Sequence, residues 1–206
     1  MISLPKTALR AALYCAAVKD VRYYLKGVHI DCAHNGDVHI VSTDGSMLFA
    51  GRIPAADVQW TGEPQKGPWR LTVPFDTIKR ESKGHGAVIL KPLDILYQLG
   101  DTVFTPVGGM FPDWRRVVGC NGPVGLPLQV NPSLMSDAQA AVQTWEGGEK
   151  SSSVSTWVEH FTDEGKIRVL GQTSNVLAII MSLRQKRDKF PSAPFKPCAY
   201  EAPKEA

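Results

Sequence analysis

The chain has 206 residues, of which 43% are hydrophobic, 8% aromatic and 21% charged, with 18 glycines and 15 prolines. This composition excludes disordered, collagenous and disulfide-scaffold proteins, and the length allows one large domain or two small ones. The 23 basic and 20 acidic residues give a formal charge of +3. That balance argues against a protein that grips free nucleic acid mainly by bulk electrostatics, but it leaves room for a local basic face.

The cysteine spacing and the lack of a leader pattern predict a cytoplasmic protein. Cys15, Cys32, Cys120 and Cys198 are too widely separated for a paired metal-ligand spacing or a tight disulfide framework. No basic and apolar leader precedes the first amphipathic segment, so we expect no secretory signal. The longest uncharged stretch, 117–136, contains three prolines and three glycines, which would interrupt a membrane helix.

A short pattern occurs three times: an apolar strand end, a proline, and then a helical segment. Its copies cover residues 2–17, 71–83 and 128–145. Proline suits the first turn of a helix because its missing N–H would have no partner there. In the third copy, Asn131 is a good N-cap. The interval between copies is too long for a solenoid repeat and suits a small βαβββ unit.

The residues after the first helix predict an antiparallel meander with strands over 23–32, 38–42 and 47–53. Asn-Gly and Asp-Gly pairs separate these runs, and both are strong hairpin signals. Apolar alternation sets the register, with Ile30 opposite Ile40 and Cys32 opposite Val38.

The same plan continues in two further units. Their predicted strands cover 87–90, 94–97, 102–106, 156–161, 166–170 and 176–183. Three units, each with a helix on one face of an antiparallel sheet, make an α+β protein. We expect a domain of two units over 1–118, a Gly/Pro linker over 119–127, a third unit over 128–185 and a mobile tail over 186–206.

The first two helices carry basic faces. Lys6 and Arg10 lie four apart on the first helix, and Lys79, Arg80 and Lys83 lie on the second. Such faces could touch a phosphate backbone without reading bases, but most exposed helices carry Lys and Arg simply to remain solvated. The third helix has no basic residue, which weakens the argument that the helices contact a phosphate backbone.

Catalytic signatures are missing from the sequence. His29, His34 and His39 are evenly spaced, but the predicted register places His39 across from Asp31 and His34 in a loop. We therefore interpret the histidines as part of a solvated hairpin face and not as a metal site. No nucleophile elbow, phosphate-binding glycine loop or H-E-x-x-H pattern is present. We expect a protein without enzymatic activity, metal or cofactor.

The segment 110–118 (MFPDWRRVV) places two aromatic residues, a proline and two adjacent arginines together. One interpretation is an aromatic plug with a solvated arginine pair. The other is an interaction hot spot, because aromatic and Arg residues around a rigid proline are typical of peptide-binding pockets.

Four motifs carry a resemblance to a known family: VRYYLKGV at 21–28, STDGSML at 42–48, FPDWRRV at 111–117 and IIMSLR at 179–184. In this order they resemble the bacterial DNA polymerase III beta subunit, the sliding clamp. The resemblance implies the DNA clamp fold and a non-enzymatic processivity factor that encircles double-stranded DNA as a ring. Lys6, Arg10, Lys79, Arg80 and Lys83 would then face the DNA.

In that family the polymerase, the clamp loader and other partners insert a short peptide into a pocket. Residue by residue, the resemblance assigns the pocket to Thr43, Gly45, Met47, Leu48, Pro112, Arg116, Val117, Ile179 and Met181. Ser46-Met47 and Ser182 depart from the family pattern and bear on peptide preference.

The number of units predicts the copy number of a ring. A family ring closes with about a dozen βαβββ units, so three per chain call for a homotetramer joined by one repeated heterologous interface. A trimer follows if residues beyond 123 fold as a complete domain. The alternative function is a clamp-like module that competes for polymerase peptides without encircling DNA.

Overall fold

The structure is a computed structural model that describes residues 1–62, 68–118, 130–147, 154–161 and 166–181. Four α-helices lie in this part of the chain: α1 (Lys6–Leu13), α2 (Phe75–Glu81), α3 (Arg115–Val118) and α4 (Pro132–Gly147). The strands are β1 (Ile2–Pro5), β2 (Gly27–Cys32), β3 (Val38–Thr43), β4 (Met47–Ile53), β5 (Gln59–Trp60), β6 (Trp69–Pro74), β7 (Ala87–Leu93), β8 (Leu96–Leu99), β9 (Thr102–Phe104), β10 (Trp157–Phe161), β11 (Lys166–Leu170) and β12 (Val176–Met181).

The strands form two antiparallel sheets, which confirms the predicted α+β class. One sheet has the order β5-β1-β7-β8-β9 and the other the order β10-β11-β12-β4-β3-β2-β6. α1, α2 and α4 pack on the sheets, and α1 lies between the other two. Within the described residues, no helix is long and apolar enough to cross a bilayer.

The first two units exchange their leading strands. β1 of the first unit pairs with β7 of the second, from Ile2 opposite Leu90 to Pro5 opposite Ala87. β6 of the second unit pairs with β2 of the first, from Val28 opposite Val73 to Cys32 opposite Trp69. Each sheet therefore contains strands from both units, so the two units share one fold.

The third unit extends the sheet of the first. β12 pairs with β4, with Ile179 opposite Leu48, and α4 packs beside α1. The ring of Trp145 on α4 lies 5.8 Å from that of Phe49 on β4, centroid to centroid. A Cβ at Gly51 would overlap the Trp145 ring, so the glycine makes room for the helix.

Several local predictions are confirmed. Ile30 lies opposite Ile40 and Cys32 opposite Val38, as apolar alternation predicts. Asn131 caps α4, because its Oδ1 accepts hydrogen bonds from the backbone N–H of Ser133 at 3.0 Å and from its hydroxyl at 2.9 Å.

Other predicted boundaries are wrong for identifiable reasons. Residues 23–25 form a 3₁₀ turn and not the start of β2. Asp94 lies in the tight turn between β7 and β8 with φ of 51°, a left-handed conformation that Asp tolerates in turns. The predicted linker 119–127, strand residues 128–129, residues 182–185 and the tail 186–206 lie outside the described residues.

Candidate functional site

An apolar cavity of about 280 Å³ lies where the first unit, the segment 111–118 and β12 meet. β12 reaches the first unit because Met181 donates its backbone N–H to the carbonyl of Ser46 at 2.8 Å. Leu48 and Ile179, paired across β4 and β12, are both buried and form part of the floor. The cavity therefore depends on contact between residues far apart in the chain.

Eight of the nine residues assigned to the pocket by the family resemblance line this cavity: Thr43, Gly45, Met47, Leu48, Pro112, Val117, Ile179 and Met181. Arg116 lies outside it. Its side chain is 86% exposed and its Nε lies 3.0 Å from a carboxylate oxygen of Asp113, one turn earlier. Because neighbours on a helix face different directions, Val117 turns toward the cavity and Arg116 toward solvent.

Six further residues line the cavity and were not assigned from sequence: Arg22, Tyr24, Leu25, Ser46, Phe111 and Trp114. All lie within three of the motifs that carry the family resemblance, at 21–28, 42–48 and 111–117. Phe111 and Trp114 are buried, with 9% and 7% exposure. The same motifs could therefore have indicated these six lining residues from the sequence.

The turn from Thr43 to Met47 is held by its own side chains. The Thr43 hydroxyl donates to the carbonyl of Met47 at 2.7 Å and accepts from the backbone N–H of Gly45 at 3.0 Å. Asp44 Oδ1 accepts from the backbone N–H groups of Ser46 and Met47 at 2.7 and 2.9 Å. Gly45 has φ of 88°, which favours glycine. Asp44 thus has the turn role predicted from sequence.

Arg22 fixes a positive charge at the mouth of the cavity. Its Nη2 donates to the carbonyl of Asp44 at 2.9 Å and to the carboxylate of Asp20 at 2.6 Å. The hydrogen bonds that the side chain and the backbone N–H of Arg22 donate to the Asp20 carboxylate lower the pKa of Asp20 to about 2, so the pair stays ionised near neutral pH. A Cβ at Gly45 would overlap the Arg22 guanidinium, which rests directly on the turn.

The aromatic wall of the cavity rests on side chains of β2. The rings of His29 and Phe111 are stacked, with centroids 4.4 Å apart and an interplanar angle of 3°. His29 Nδ1 lies 3.0 Å from the Thr72 hydroxyl. The prediction of a solvated histidine face is therefore wrong for His29, which is 7% exposed, because the segment around Phe111 folds back over the sheet.

Asp31 anchors the same segment. Its side chain is 2% exposed, and its carboxylate lies 2.6 Å from Arg115 Nη1 and 3.4 Å from Arg70 Nε. Arg115 also lies over the Trp114 ring, with its Cζ 4.4 Å from the centroid. Arg115 therefore connects the buried carboxylate of Asp31 with the Trp114 ring, which lines the cavity.

The ionisable side chains beneath the aromatic wall, His29, His39 and Asp31, each keep one charge state near neutral pH. Burial lowers the pKa of His29 to about 4, and burial together with the Arg115 charge lowers the pKa of His39. Burial opposes ionisation of Asp31, but the hydrogen bond and charge of Arg115, aided by Arg70, outweigh it and lower the pKa. Both histidines are thus neutral and Asp31 is charged.

The five basic residues gather where α1 meets the end of α2. Lys79, Arg80 and Lys83 are exposed. Arg10 donates from Nη1 to the carbonyl of Ser82 at 2.8 Å, and Lys6 donates from Nζ to the carbonyl of Lys83 at 3.1 Å. These two cations therefore also neutralise the C-terminal end of α2.

Within the described ranges, no group of three or more His, Cys, Asp or Glu side chains is arranged to hold a metal ion. Cys15 and Cys32 are free and buried.

Comparison with solved structures identifies the architecture. The beta clamp of Helicobacter pylori bound to a DNA ligase peptide aligns with a TM-score of 0.66 at 9% identity, covering 89% of this chain and 66% of that one. The sliding clamp of Bacillus subtilis aligns with a TM-score of 0.60 at 10% identity, covering 90% and 64%. The chain has the sliding-clamp fold. The predicted resemblance to the beta subunit is confirmed.

Sequence comparison agrees over a shorter range. The beta sliding clamp of Pseudomonas putida is 30% identical over 115 residues, which are 53% of this chain and 30% of the relative. No family model matches the chain. The sequence match thus spans less than a third of the relative's length.

Proposed function

We propose that this chain is a DNA sliding clamp: a ring-forming, non-catalytic processivity factor that encircles duplex DNA and tethers a polymerase through a short peptide. The observation that carries the proposal is the apolar cavity bounded by Leu48, Val117 and Ile179 in a chain with the sliding-clamp fold. A concave apolar site with a cation at its mouth suits a peptide with hydrophobic anchors.

The peptide part of the proposal has a direct test. A fluorescent peptide with two adjacent bulky apolar residues is titrated with the chain and its anisotropy is measured. Met181→Asp places a charge at the cavity, where Met181 is 41% exposed, and we expect at least a tenfold loss of affinity. Ile95→Asp is the matched control, because Ile95 is 80% exposed and lies outside the cavity. Equal binding by both variants would reject the site.

The DNA part rests on the basic cluster at α1 and α2. Lys79→Glu with Lys83→Glu should abolish stimulation of synthesis on long primed templates, while peptide affinity stays unchanged. Arg10 is a poorer choice because it binds the end of α2. Lys91→Glu is the control, since Lys91 follows Leu90 on β7 and faces away from the core. Normal processive synthesis by the double variant would remove the DNA-facing assignment.

One observation favours the second candidate, a module that competes for polymerase peptides without encircling DNA. α4 carries no basic residue, and Lys6 and Arg10 are engaged with the end of α2. The two functions differ in copy number, since a ring needs several chains. We favour a homotetramer, with a homotrimer as the alternative; a monomeric mass at micromolar concentration would support the competing module.

A further inference from the structure

A second cavity shares the aromatic wall of the apolar cavity proposed to bind a peptide. We call the two the polar cavity and the peptide cavity. The polar cavity has a volume of about 600 Å³ and lies between β2, β6, β8 and the segment 106–115. Phe111, Pro112 and Trp114 line both cavities. Of the nine described residues that the family resemblance assigns to a pocket, Pro112 alone lines the polar cavity.

The polar cavity differs from the peptide cavity in its charges. The described lining of the peptide cavity has one charged side chain, that of Arg22. The polar cavity is lined by two carboxylates, two guanidinium groups and one imidazole, those of Asp31, Asp113, Arg70, Arg115 and His29. The two cavities therefore suit different parts of a ligand, one apolar and one charged.

Two of the ionisable groups in the polar cavity do not set its charge. The Asp113 carboxylate lies 3.0 Å from Nε of Arg116, which neutralises it. His29 is uncharged near neutral pH, because burial lowers its pKa to about 4. The charge of the cavity therefore depends on Asp31 and the two arginines that line it.

Asp31 cannot neutralise both arginines. Its carboxylate accepts a hydrogen bond from Arg115 at 2.6 Å. Nε of Arg70 lies 3.4 Å from the same carboxylate, which is longer than the usual N–H···O hydrogen bond of about 2.7–3.2 Å. The Arg70 side chain is 66% exposed, whereas Asp31 is 2% exposed. One positive charge is left over, and Arg70 is accessible to a second acceptor.

The surface between the two cavities is exposed and apolar. Pro112 is exposed and belongs to both linings. Met110 lines the polar cavity and is 88% exposed. Tyr23 is 60% exposed and lies against the same segment, because a Cβ at Gly109 would be 3.3 Å from its ring. Neighbouring exposed apolar side chains of this kind are typical of an interaction surface.

We propose that a peptide anchored in the peptide cavity continues over Pro112 into the polar cavity, where Arg70 binds an acidic side chain of the peptide. The contact is a charge-assisted hydrogen bond between a guanidinium group and a carboxylate. Arg115 is held by Asp31 and positions the wall, so Arg70 is the residue that selects the acidic flank. The inference rests on the proposed peptide binding and adds the chemistry of the partner: apolar anchors with Asp or Glu a few residues away.

The test compares fluorescent peptides that share the same apolar anchors and differ at one flanking position. That position holds Glu, Gln or Lys and is placed about two to six residues from either end of the anchors, since an extended residue spans about 3.3 Å. By anisotropy, we expect the best Glu peptide to bind the full chain about three- to fivefold more tightly than its Gln counterpart. The gain should shrink as salt is added, because Arg70 is exposed.

Substitutions assign the gain to one cation. In Arg70→Gln the Glu and Gln peptides should bind equally, with the affinity that the Gln peptide has for the wild type. Lys91→Gln is the matched control, because it removes a positive charge from a side chain outside both cavities and should keep the gain. Arg70→Glu should reverse the preference and favour the Lys peptide.

The possible failures are distinguishable. Equal binding of Glu and Gln peptides to the wild type at every spacing would overturn the acidic-flank proposal and leave the peptide cavity in place. A gain that persists in Arg70→Gln, or that is lost equally in Lys91→Gln, would also overturn it. If the Gln peptide itself does not bind the wild type, the proposed peptide function fails and this inference fails with it.

Discussion

The carboxylate of Asp31 lies 2.6 Å from Arg115 Nη1, and Arg115 lies over the ring of Trp114. Asp31 does not line the candidate peptide cavity, whereas Trp114 does. The contact therefore connects a buried charge on β2 with the aromatic wall of the cavity.

Asp31→Asn should weaken peptide binding through this connection. The amide cannot attract Arg115 as the carboxylate does, so we expect about tenfold lower affinity and a loss of about 1–3 kcal/mol in the free energy of unfolding. Arg70→Gln is the matched control. Arg70 contacts the same carboxylate at 3.4 Å but is 66% exposed. Its replacement should therefore lower the free energy of unfolding by less than about 1 kcal/mol and leave affinity for a peptide with a neutral flank unchanged. An equal affinity loss in both variants would argue against a positioning role.

Gly45→Ala should disturb the mouth of the cavity. A methyl group there would strain a backbone with φ of 88° and displace the Arg22 guanidinium from the Asp44 carbonyl. We expect about 1–2 kcal/mol of destabilisation and weaker peptide binding, measured by urea unfolding and anisotropy. Gly84→Ala also has a positive φ but open space around it, so it should destabilise without affecting the peptide.

Gly51→Ala should destabilise the contact between α4 and the sheet. The added methyl group would overlap the Trp145 ring, and overpacking of this kind costs about 1–3 kcal/mol. Adding Trp145→Leu should recover part of the loss, because the smaller side chain makes room. Thermal unfolding of both variants measures the coupling, and simple additivity of the two changes would contradict the contact.

Stability should fall as pH falls from neutrality. The pKa of His29 is about 4 when folded and about 6.5 when unfolded, so its contribution is complete above pH 6.5 and is lost as pH approaches 4. The full contribution is up to about 3 kcal/mol. Asp31, Arg70 and Arg115 face His29, and the lowered pKa of Asp31 extends the same trend to lower pH.

His29→Phe keeps a ring to stack on Phe111 but removes the titrating group. Urea unfolding at about pH 7.5 and about pH 5 should therefore show a smaller pH dependence in this variant than in the wild type. An identical pH dependence would show that His29 is not the titrating group.

The sequence pattern predicted correctly those strands in which apolar and polar residues alternate strictly. The pairing of Ile30 with Ile40 followed from apolar periodicity. The short strands of the second unit lack such alternation, and Asp94 was misplaced there. The burial of His29 was not predictable from its neighbours, because Phe111, which covers it, is distant in sequence.

The family motifs correctly predicted which segments line the cavity, but they did not predict the direction of every side chain. Arg116 and Trp114 stand in one motif, yet only Trp114 lines the cavity, because side chains two positions apart on a helical turn point in nearly opposite directions. Support by Asp31 needed the structure, since nothing in the sequence links that residue to Arg115.

The reciprocal exchange of β1 and β6 has a consequence for biosynthesis. β1 leaves the ribosome first, but its partner β7 is made only after the whole first meander and α2. Until then, among the described strands, the two-residue strand β5 is the one β1 partner already made, and the apolar side chains of Ile2 and Leu4 lack the rest of their sheet. Contacts between residues far apart in the sequence form slowly. A nascent or truncated first unit should therefore be prone to aggregation and dependent on chaperones. The first two units should mature together, as a single cooperative step.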